Sequence, residues 1–218
     1  MFSWNQASVN DIFWVSADGS GQAEQLTTSD VNDVVTSVTP DGANVLFARL
    51  DSVGGTREVW QAPLGDSGMV TPVLQGEFAR GNAEVSPDGN WLTYRSNQSG
   101  QLEIYLEPYP GPGPTVPVSS GGGDLVTWST DGAELFYRSG SRLMAVDVRS
   151  DGTVGQPVEL LDGNYVTAPN GVRQYHVAPD GRFLMMRDAT STATNDTFAQ
   201  VVLVQNWFEE LKERVPVP

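Results

Sequence analysis

The residues Ser86-Pro87-Asp88-Gly89 stand just before the alternating run Trp91-Leu92-Thr93-Tyr94-Arg95. In the first segment, proline presets φ for a turn, aspartate can bond the backbone nearby, and glycine accepts a positive φ. The second segment alternates in polarity with the period of two that is typical of a strand. A tight turn that leads into a β-strand is therefore predicted here.

This turn-then-strand phrase occurs four times along the chain. Its copies are 39–42, 86–89, 129–132 and 178–181. A period of about 40–50 residues with four strands per unit is typical of a β-propeller blade. The sequence therefore predicts an all-β protein, a propeller of four-stranded antiparallel blades.

We interpret residues 1–218 as a single, partial propeller with about five units. The units are approximately 1–28, 36–75, 81–119, 123–162 and 173–205, followed by a C-terminal helix and tail over 206–218. The first unit is predicted to supply only third- and fourth-type strands, and the last to lack a fourth. We therefore expect an open arc with unpaired blade edges. The alternative is a four-bladed closure, in which 24–27 serves the last blade and 11–15 becomes surplus.

The chain is acidic, with 12 Lys and Arg against 27 Asp and Glu and a formal charge of −15. A surface of this charge repels phosphate backbones and anionic lipid headgroups. We therefore expect no nucleic-acid partner and no membrane insertion by this chain. The simplest role of the acidity is to keep the protein soluble.

Cysteine is absent, which excludes disulfides, thiolate catalysis and zinc–sulfur sites. No apolar run approaches the ~20 residues of a membrane span. The segment Met1 to Asn5 has neither the basic start nor the apolar stretch of a signal peptide. The sequence predicts no cofactor and no metal site.

Each candidate for chemistry has a simpler structural interpretation. His176 is the only histidine, and a packed channel-side residue is favoured over a catalytic base. Gly65-Asp66-Ser67-Gly68 matches a protease nucleophile motif but consists of turn-forming residues between predicted strands. The segment 30–33 begins like a calcium loop, but Val35 stands where that loop requires glycine. We therefore predict no catalytic residue and no enzymatic activity.

A more specific pattern is an arginine at the end of the second strand in four units. These residues are Arg49, Arg95, Arg138 and Arg187. Acidic residues begin three of the third strands, namely Asp11, Glu58 and Glu103. One interpretation is an intra-blade pair between each arginine and such a carboxylate, which would fix the hairpin. The other is a partial ring of guanidinium groups at one mouth of the channel, able to bind an anion or a partner.

The units resemble the TolB-like propeller repeat, a WD-type relative whose blades carry Ser/Thr-Pro-Asp-Gly before the second strand. The segments that carry a narrower resemblance, to the C-terminal propeller region of bacterial serine/threonine kinases with a fused propeller, are 94–100, 103–105, 108–111 and 206–211. Thr130 replaces the usual proline, and the chain lacks the glycine-rich and His-Arg-Asp loops of a kinase. The resemblance implies a non-catalytic region outside the cytoplasmic membrane.

We expect a non-enzymatic propeller that binds a protein or a small ligand at one face, as the C-terminal part of a larger protein. The alternative is the substrate-gating propeller of a prolyl-oligopeptidase-type peptidase, which an α/β-hydrolase with a Gly-x-Ser-x-Gly elbow would follow. The predicted helix and the ending 215–218 look like a terminus and favour the first. A sugar- or lactone-processing propeller would need carboxylates or metal ligands clustered at the axis.

Overall fold

The computed structural model describes residues 1–5, 9–18, 20–50, 57–65, 69–166 and 173–186. All of them belong to one compact unit, Met1–Asp188. They form seventeen β-strands and, within these ranges, no helix. The strands make five antiparallel sheets that follow one another along the chain. The prediction of an all-β propeller built from four-stranded antiparallel blades is confirmed.

Three complete blades occupy the middle of the chain, each with its strands in sequence order. Blade 2 contains β4 (Asn32–Val38), β5 (Asn44–Leu50), β6 (Arg57–Pro63) and β7 (Thr71–Leu74). Blade 3 contains β8 (Arg80–Val85), β9 (Trp91–Ser96), β10 (Glu103–Pro108) and β11 (Val116–Pro117). Blade 4 contains β12 (Asp124–Trp128), β13 (Glu134–Ser139), β14 (Arg142–Asp147) and β15 (Val158–Asp162).

Smaller sheets flank these three blades. Blade 1 contains β1 (Phe2–Asn5), β2 (Asn10–Trp14) and β3 (Glu24–Gln25). Blade 5 has two strands among the described residues, β16 (Tyr175–Val177) and β17 (Phe183–Met185). The end of the predicted fifth unit, 187–205, and the predicted C-terminal helix and tail over 206–218 lie outside the described residues. The open arc therefore stays a prediction.

Blade 1 holds a strand that the repeat pattern did not indicate. β1 pairs with β2 so that Phe2 lies opposite Phe13 and Ser3 opposite Ile12, and the two phenylalanine rings stack at 6.0 Å. β1 occupies the place of a second-type strand, so the prediction that this unit supplies only third- and fourth-type strands is wrong. The connection after β1 contains no Asp-Gly pair, which is why its sequence carries no turn signal.

The repeated turn is built from a closed set of local hydrogen bonds. In blade 3, the Ser86 hydroxyl donates to the Asp88 carboxylate and accepts from the Trp91 amide at 2.9 Å. The same carboxylate accepts from the Asn90 amide at 3.1 Å. The Gly89 amide bonds the Ser86 carbonyl at 2.8 Å, and Gly89 has a φ of 78°. This combination requires a hydroxyl, a carboxylate and a glycine at fixed spacing.

Blades 2 and 4 repeat these bonds with Thr39 and Ser129 as the hydroxyl residues. Blade 5 departs from the pattern because Ala178 has no hydroxyl. There Asp180 accepts from both the backbone amide and the guanidinium of Arg182. The turn is retained, with the Gly181 amide bonded to the Ala178 carbonyl at 2.9 Å.

The hydrophobic core consists of four clusters, each of which joins two consecutive blades. Between blades 1 and 2, Ile12 packs with Phe47. Leu46, Val59 and Leu74 of blade 2 pack with Ala83, Val85, Leu92, Tyr94 and Tyr105 of blade 3. Ile104, Leu106 and Val118 of blade 3 pack with Val126, Trp128, Leu135, Tyr137, Val146 and Val148 of blade 4. Tyr175 and Val177 of blade 5 pack with Leu125, Phe136, Leu143 and Ala145 of blade 4.

The first strands of blades 2 to 4 each carry a register shift at the same place in the repeat. In blades 3 and 4 the shift includes a residue of positive φ, Asn82 at 51° and Leu125 at 56°. Such an irregularity re-aims the backbone groups next to it. In blade 4 the Leu125 carbonyl accepts from the hydroxyl of the buried Tyr175 at 2.5 Å. The irregularity thereby fastens blade 5 to blade 4.

We predict that Ser86→Ala lowers the free energy of unfolding by about 1 kcal/mol, since it leaves the Trp91 amide without its acceptor. The matched control is Ser99→Ala, whose hydroxyl is exposed and donates only to the Gln101 carbonyl. The control should change stability by less than about 0.5 kcal/mol. Urea unfolding of the three proteins measures this; equal effects of both substitutions would contradict it.

The Ser86 hydroxyl is also the largest cause that holds the pKa of Asp88 below its ordinary value of 3.8. Because this pKa is lowered, the charged carboxylate of Asp88 stabilises the folded state at pH values above its ordinary pKa. This contribution is lost as the pH falls through the lowered pKa. We predict that the pKa of Asp88, followed by NMR, rises in Ser86→Ala and stays unchanged in Ser99→Ala.

Candidate functional site

The predicted arginines lie at structurally equivalent places but have different partners. In blade 2, Arg49 forms two 2.8 Å hydrogen bonds to the fully buried carboxylate of Asp33. The two residues are register partners on β4 and β5. Hydrogen bonding to Asp33 is the main cause that raises the pKa of Arg49. Arg49 also lies over the Trp60 ring, 4.7 Å from its centroid. Its guanidinium is thus fixed by both the Asp33 carboxylate and the Trp60 ring.

In blade 3, the residue opposite Arg95 is Gly81, which offers no carboxylate. Arg95 instead crosses to the next blade and forms bonds of 2.9 and 2.7 Å with Asp124. The same carboxylate accepts from Asn82 at 2.8 Å and from the Leu125 amide at 2.7 Å. Asp124 therefore gathers charge-assisted bonds from two blades.

Asp124 is the register partner of Arg138 in its own blade, yet its ion pair is with Arg95. Arg138 is buried and donates to the Gly140 carbonyl at 3.0 Å. Its Nε has no hydrogen-bond partner, and its guanidinium lies 5.7 Å from the Tyr165 ring centroid. Within the part of the chain that the structure describes, Arg138 forms no ion pair. Arg187 lies outside that part.

Arg49, Arg95 and Arg138, the predicted arginines that the structure describes, form none of the expected ion pairs with the third-strand acids. The carboxylate of Asp11 accepts from Gln25 and that of Glu58 from Trp60 Nε1. Glu103 accepts from the Ser119 hydroxyl and from backbone amides of the following loop. Burial acts to raise the pKa of Glu103, but these bonds outweigh it and lower the pKa. The acids that do pair, Asp33 and Asp124, stand on first strands.

The first strands of blades 2, 3 and 4 line a cavity of about 640 Å³, which we call the arginine cavity. The described residues of its wall include three arginines, Arg57, Arg95 and Arg173, and one carboxylate, Glu84. The other lining residues are Ser3, Asn10, Asn32, Val34, Val35, Thr36, Ala48, Leu50, Gly81, Asn82, Ala83, Leu125 and Val126. Of the three predicted arginines that the structure describes, only Arg95 lines this cavity.

A second cavity of about 410 Å³, the turn cavity, lies beside the Asp-Gly turns and includes Pro40, Pro87 and Thr130. The two cavities share three lining residues, Thr36, Glu84 and Arg173. Arg173 and Glu84 form an ion pair at 2.6 Å, which therefore stands between the cavities.

His176 lines the turn cavity, as expected of a channel-side residue. It is exposed, however, between the buried Tyr175 and Val177, so the expectation that it is packed is wrong. Strand alternation turns its side chain away from the inter-blade core that its neighbours enter. Its side chain forms no hydrogen bond with any other described residue. Asp66, Ser67 and Gly68 of the protease-like motif lie outside the described residues.

Two arginines of the cavity were not singled out by the repeat analysis. Arg173 stands seven residues before its turn aspartate, the spacing that also applies to Gly81 and Asp124. An alignment of first strands on the turns would have found this position. Arg57 begins β6 one residue before Glu58. Arg142 stands at the equivalent place in blade 4, but Glu103 occupies it in blade 3, so the repeat does not mark a basic position.

We predict that Asp124→Asn lowers the free energy of unfolding by about 2 kcal/mol, because it leaves the guanidinium of Arg95 buried without its counter-charge. The control is Glu159→Gln, which removes an exposed pair with Arg142 at 4.0 Å and should cost less than about 0.5 kcal/mol. Urea unfolding of the wild type, Asp124→Asn, Arg95→Met and the double variant tests the energetic coupling between Arg95 and Asp124. Additive effects of the two substitutions would contradict an inter-blade ion pair.

No protein-family model and no curated protein matches the chain. Among solved structures, it is similar to a protein described as TolB from Agrobacterium tumefaciens, with a TM-score of 0.60 and 19% identity over 71% of this chain and 57% of that one. It is also similar to TolB from Acinetobacter baumannii, with a TM-score of 0.54 and 23% identity over 84% of this chain and 49% of that one.

A puromycin-hydrolyzing peptidase from Mycobacterium tuberculosis has a TM-score of 0.60 and 15% identity over 84% of this chain and 34% of that one. The chain thus spans from about a third to rather more than half of the length of these structures. Such similarity establishes the fold: this chain folds as a β-propeller like those of the TolB proteins.

Proposed function

We propose that the chain is a non-catalytic propeller module that binds a protein segment or a small ligand at its axial cavities. The observation that carries the proposal is the arginine cavity, whose volume lies within the ~300–1,000 Å³ typical of ligand sites. Polar side chains from blades 1, 2 and 3, together with Arg173, converge on it. Propellers use their axial openings in this way because the inner strands of all blades meet there.

The surroundings of His176 support a role without catalysis. A catalytic base needs a partner to orient its ring and a nucleophile within reach. His176 bonds neither among the described residues. The same ranges contain no group of three or more His, Asp or Glu side chains placed to hold a metal ion. The proposal therefore assigns the axial cavities to recognition.

The sequence resemblance to propeller regions of bacterial kinase fusions supports a place within a larger protein and outside the cytoplasmic membrane. None of the described segments forms a helix long and apolar enough to cross a membrane. In this proposal the propeller reports the presence of its ligand to a catalytic domain elsewhere in the parent protein.

A second candidate is the substrate-gating propeller of a prolyl-oligopeptidase-type enzyme. The similarity in fold to the puromycin-hydrolyzing peptidase favours it. The match covers 34% of that protein, so most of the peptidase lies outside the part that resembles this chain. The two candidates differ in the domain that accompanies the propeller. A reading frame that continues into an α/β-hydrolase would favour the peptidase, and one that begins with a kinase would favour the sensor.

We predict that the isolated chain turns over no peptide, ester or ATP, and that small ligands shift the backbone amide resonances of the arginine cavity. A fragment library of small acids, amides and tripeptides, screened by NMR, provides the measurement. Shifts concentrated at Asn32, Asn82 and Ala83 are expected. Turnover that disappears on His176→Ala, or binding confined to the outer strands, would contradict the proposal.

A further inference from the structure

We infer that Arg57 is the anchor of a carboxylate-binding site in the arginine cavity, so that the ligand of this propeller carries a carboxylate group. The inference rests on the proposed ligand-binding role and names its chemistry. It depends on the difference between Arg57 and the paired arginines around it.

The other two arginines of the cavity already have counter-charges. Arg95 is bonded to Asp124 at 2.7 Å and Arg173 to Glu84 at 2.6 Å. Arg57 is half-buried and has no carboxylate within 4.0 Å among the described residues. Burial, and then repulsion by Arg95, lower its pKa, against a smaller opposing effect of Asp124. A half-buried cation without a counter-charge is stabilised by an anion that enters beside it.

Two neutral groups of the cavity are left able to donate hydrogen bonds. The Oδ1 of Asn32 accepts from the Asn10 amide at 2.8 Å, and its Nδ2 donates to no other described residue. The Oγ of Ser3 accepts from the Val35 amide at 3.2 Å, so its own proton is available. An amide, a hydroxyl and a guanidinium in one cavity are donors that suit the oxygens of a carboxylate.

The charge of the cavity selects a carboxylate over a phosphate. The pairs of Arg95 and Arg173 are neutral overall, so among the described lining residues Arg57 supplies about one net positive charge. A carboxylate brings one negative charge and two coplanar oxygens that match the guanidinium fork. A phosphate brings nearly two charges, which a single unpaired arginine in a chain of net charge −15 does not compensate.

The test is an NMR titration of the full chain with succinate at constant ionic strength, compared with its neutral analogue succinamide. Succinate is expected to shift the cavity amides and succinamide to leave them unchanged. Arg57→Gln should weaken succinate binding by at least about tenfold, as expected for loss of a charged hydrogen-bond donor. Arg57→Lys, which keeps the charge and loses the fork, should weaken it less.

Arg142→Gln is the control: this exposed arginine on β14 lies outside the cavity and its loss should change affinity by less than about twofold.

Equal succinate affinity in wild type and a folded Arg57→Gln variant would overturn the inference, and so would the absence of succinate binding. Tighter binding of inorganic phosphate than of succinate would overturn the choice of ligand class. If Arg57→Gln fails to fold, the succinate affinity of Arg57→Lys decides. An affinity equal to that of the wild type would overturn the bidentate contact between the guanidinium and the carboxylate. Cavity shifts caused by neutral fragments alone would leave the proposed recognition role standing and refute its carboxylate chemistry.

Discussion

The ion pair between Arg95 and Asp124 links blade 3 to blade 4 at the place where their first strands meet. It exists because Gly81 gives Arg95 no acid in its own blade, so the acid of the next blade is used instead. One consequence is that Arg138 lies opposite an acid that is already paired elsewhere. Many contacts in a repeat protein join neighbouring units, but the ion pair between Arg173 and Glu84 joins the fifth unit to blade 3. Each paired arginine along the axis is therefore balanced by one nearby carboxylate.

These compensations explain why an acidic chain can hold arginines around one cavity. The guanidinium groups of Arg49, Arg95 and Arg173 are each matched by a first-strand carboxylate, namely Asp33, Asp124 and Glu84. Burial of unpaired charge is costly, so matched pairs are the expected state of structural arginines. Among the arginines that line the cavity, Arg57 is the one without a carboxylate partner in the described part of the chain, and such an arginine is a natural candidate for a ligand contact. The recognition role and the architecture thus follow from the same constraint.

Much of the fold was predictable because its determinants are local. The turn at Ser86 to Trp91 is made by bonds within six residues, so its pattern in the sequence predicts it directly. β1 was missed because no such turn marks it. The positions of Arg49, Arg95 and Arg138 were predicted, but their partners were not, because Gly81 and Asp124 meet Arg95 only through the register of two blades. The role of Arg57 depends on the absence of a partner, which only three-dimensional placement reveals.

The most direct test of this account observes the arginine side chains themselves. In a spectrum of arginine Nε–Hε groups, addition of succinate should shift the signal of Arg57 and leave that of Arg49 unchanged, because Arg49 is already bonded twice to Asp33. A slow-exchanging, protected Arg49 signal and a solvent-exchanging Arg57 signal are expected before addition. A shift at Arg49 with none at Arg57 would contradict the account.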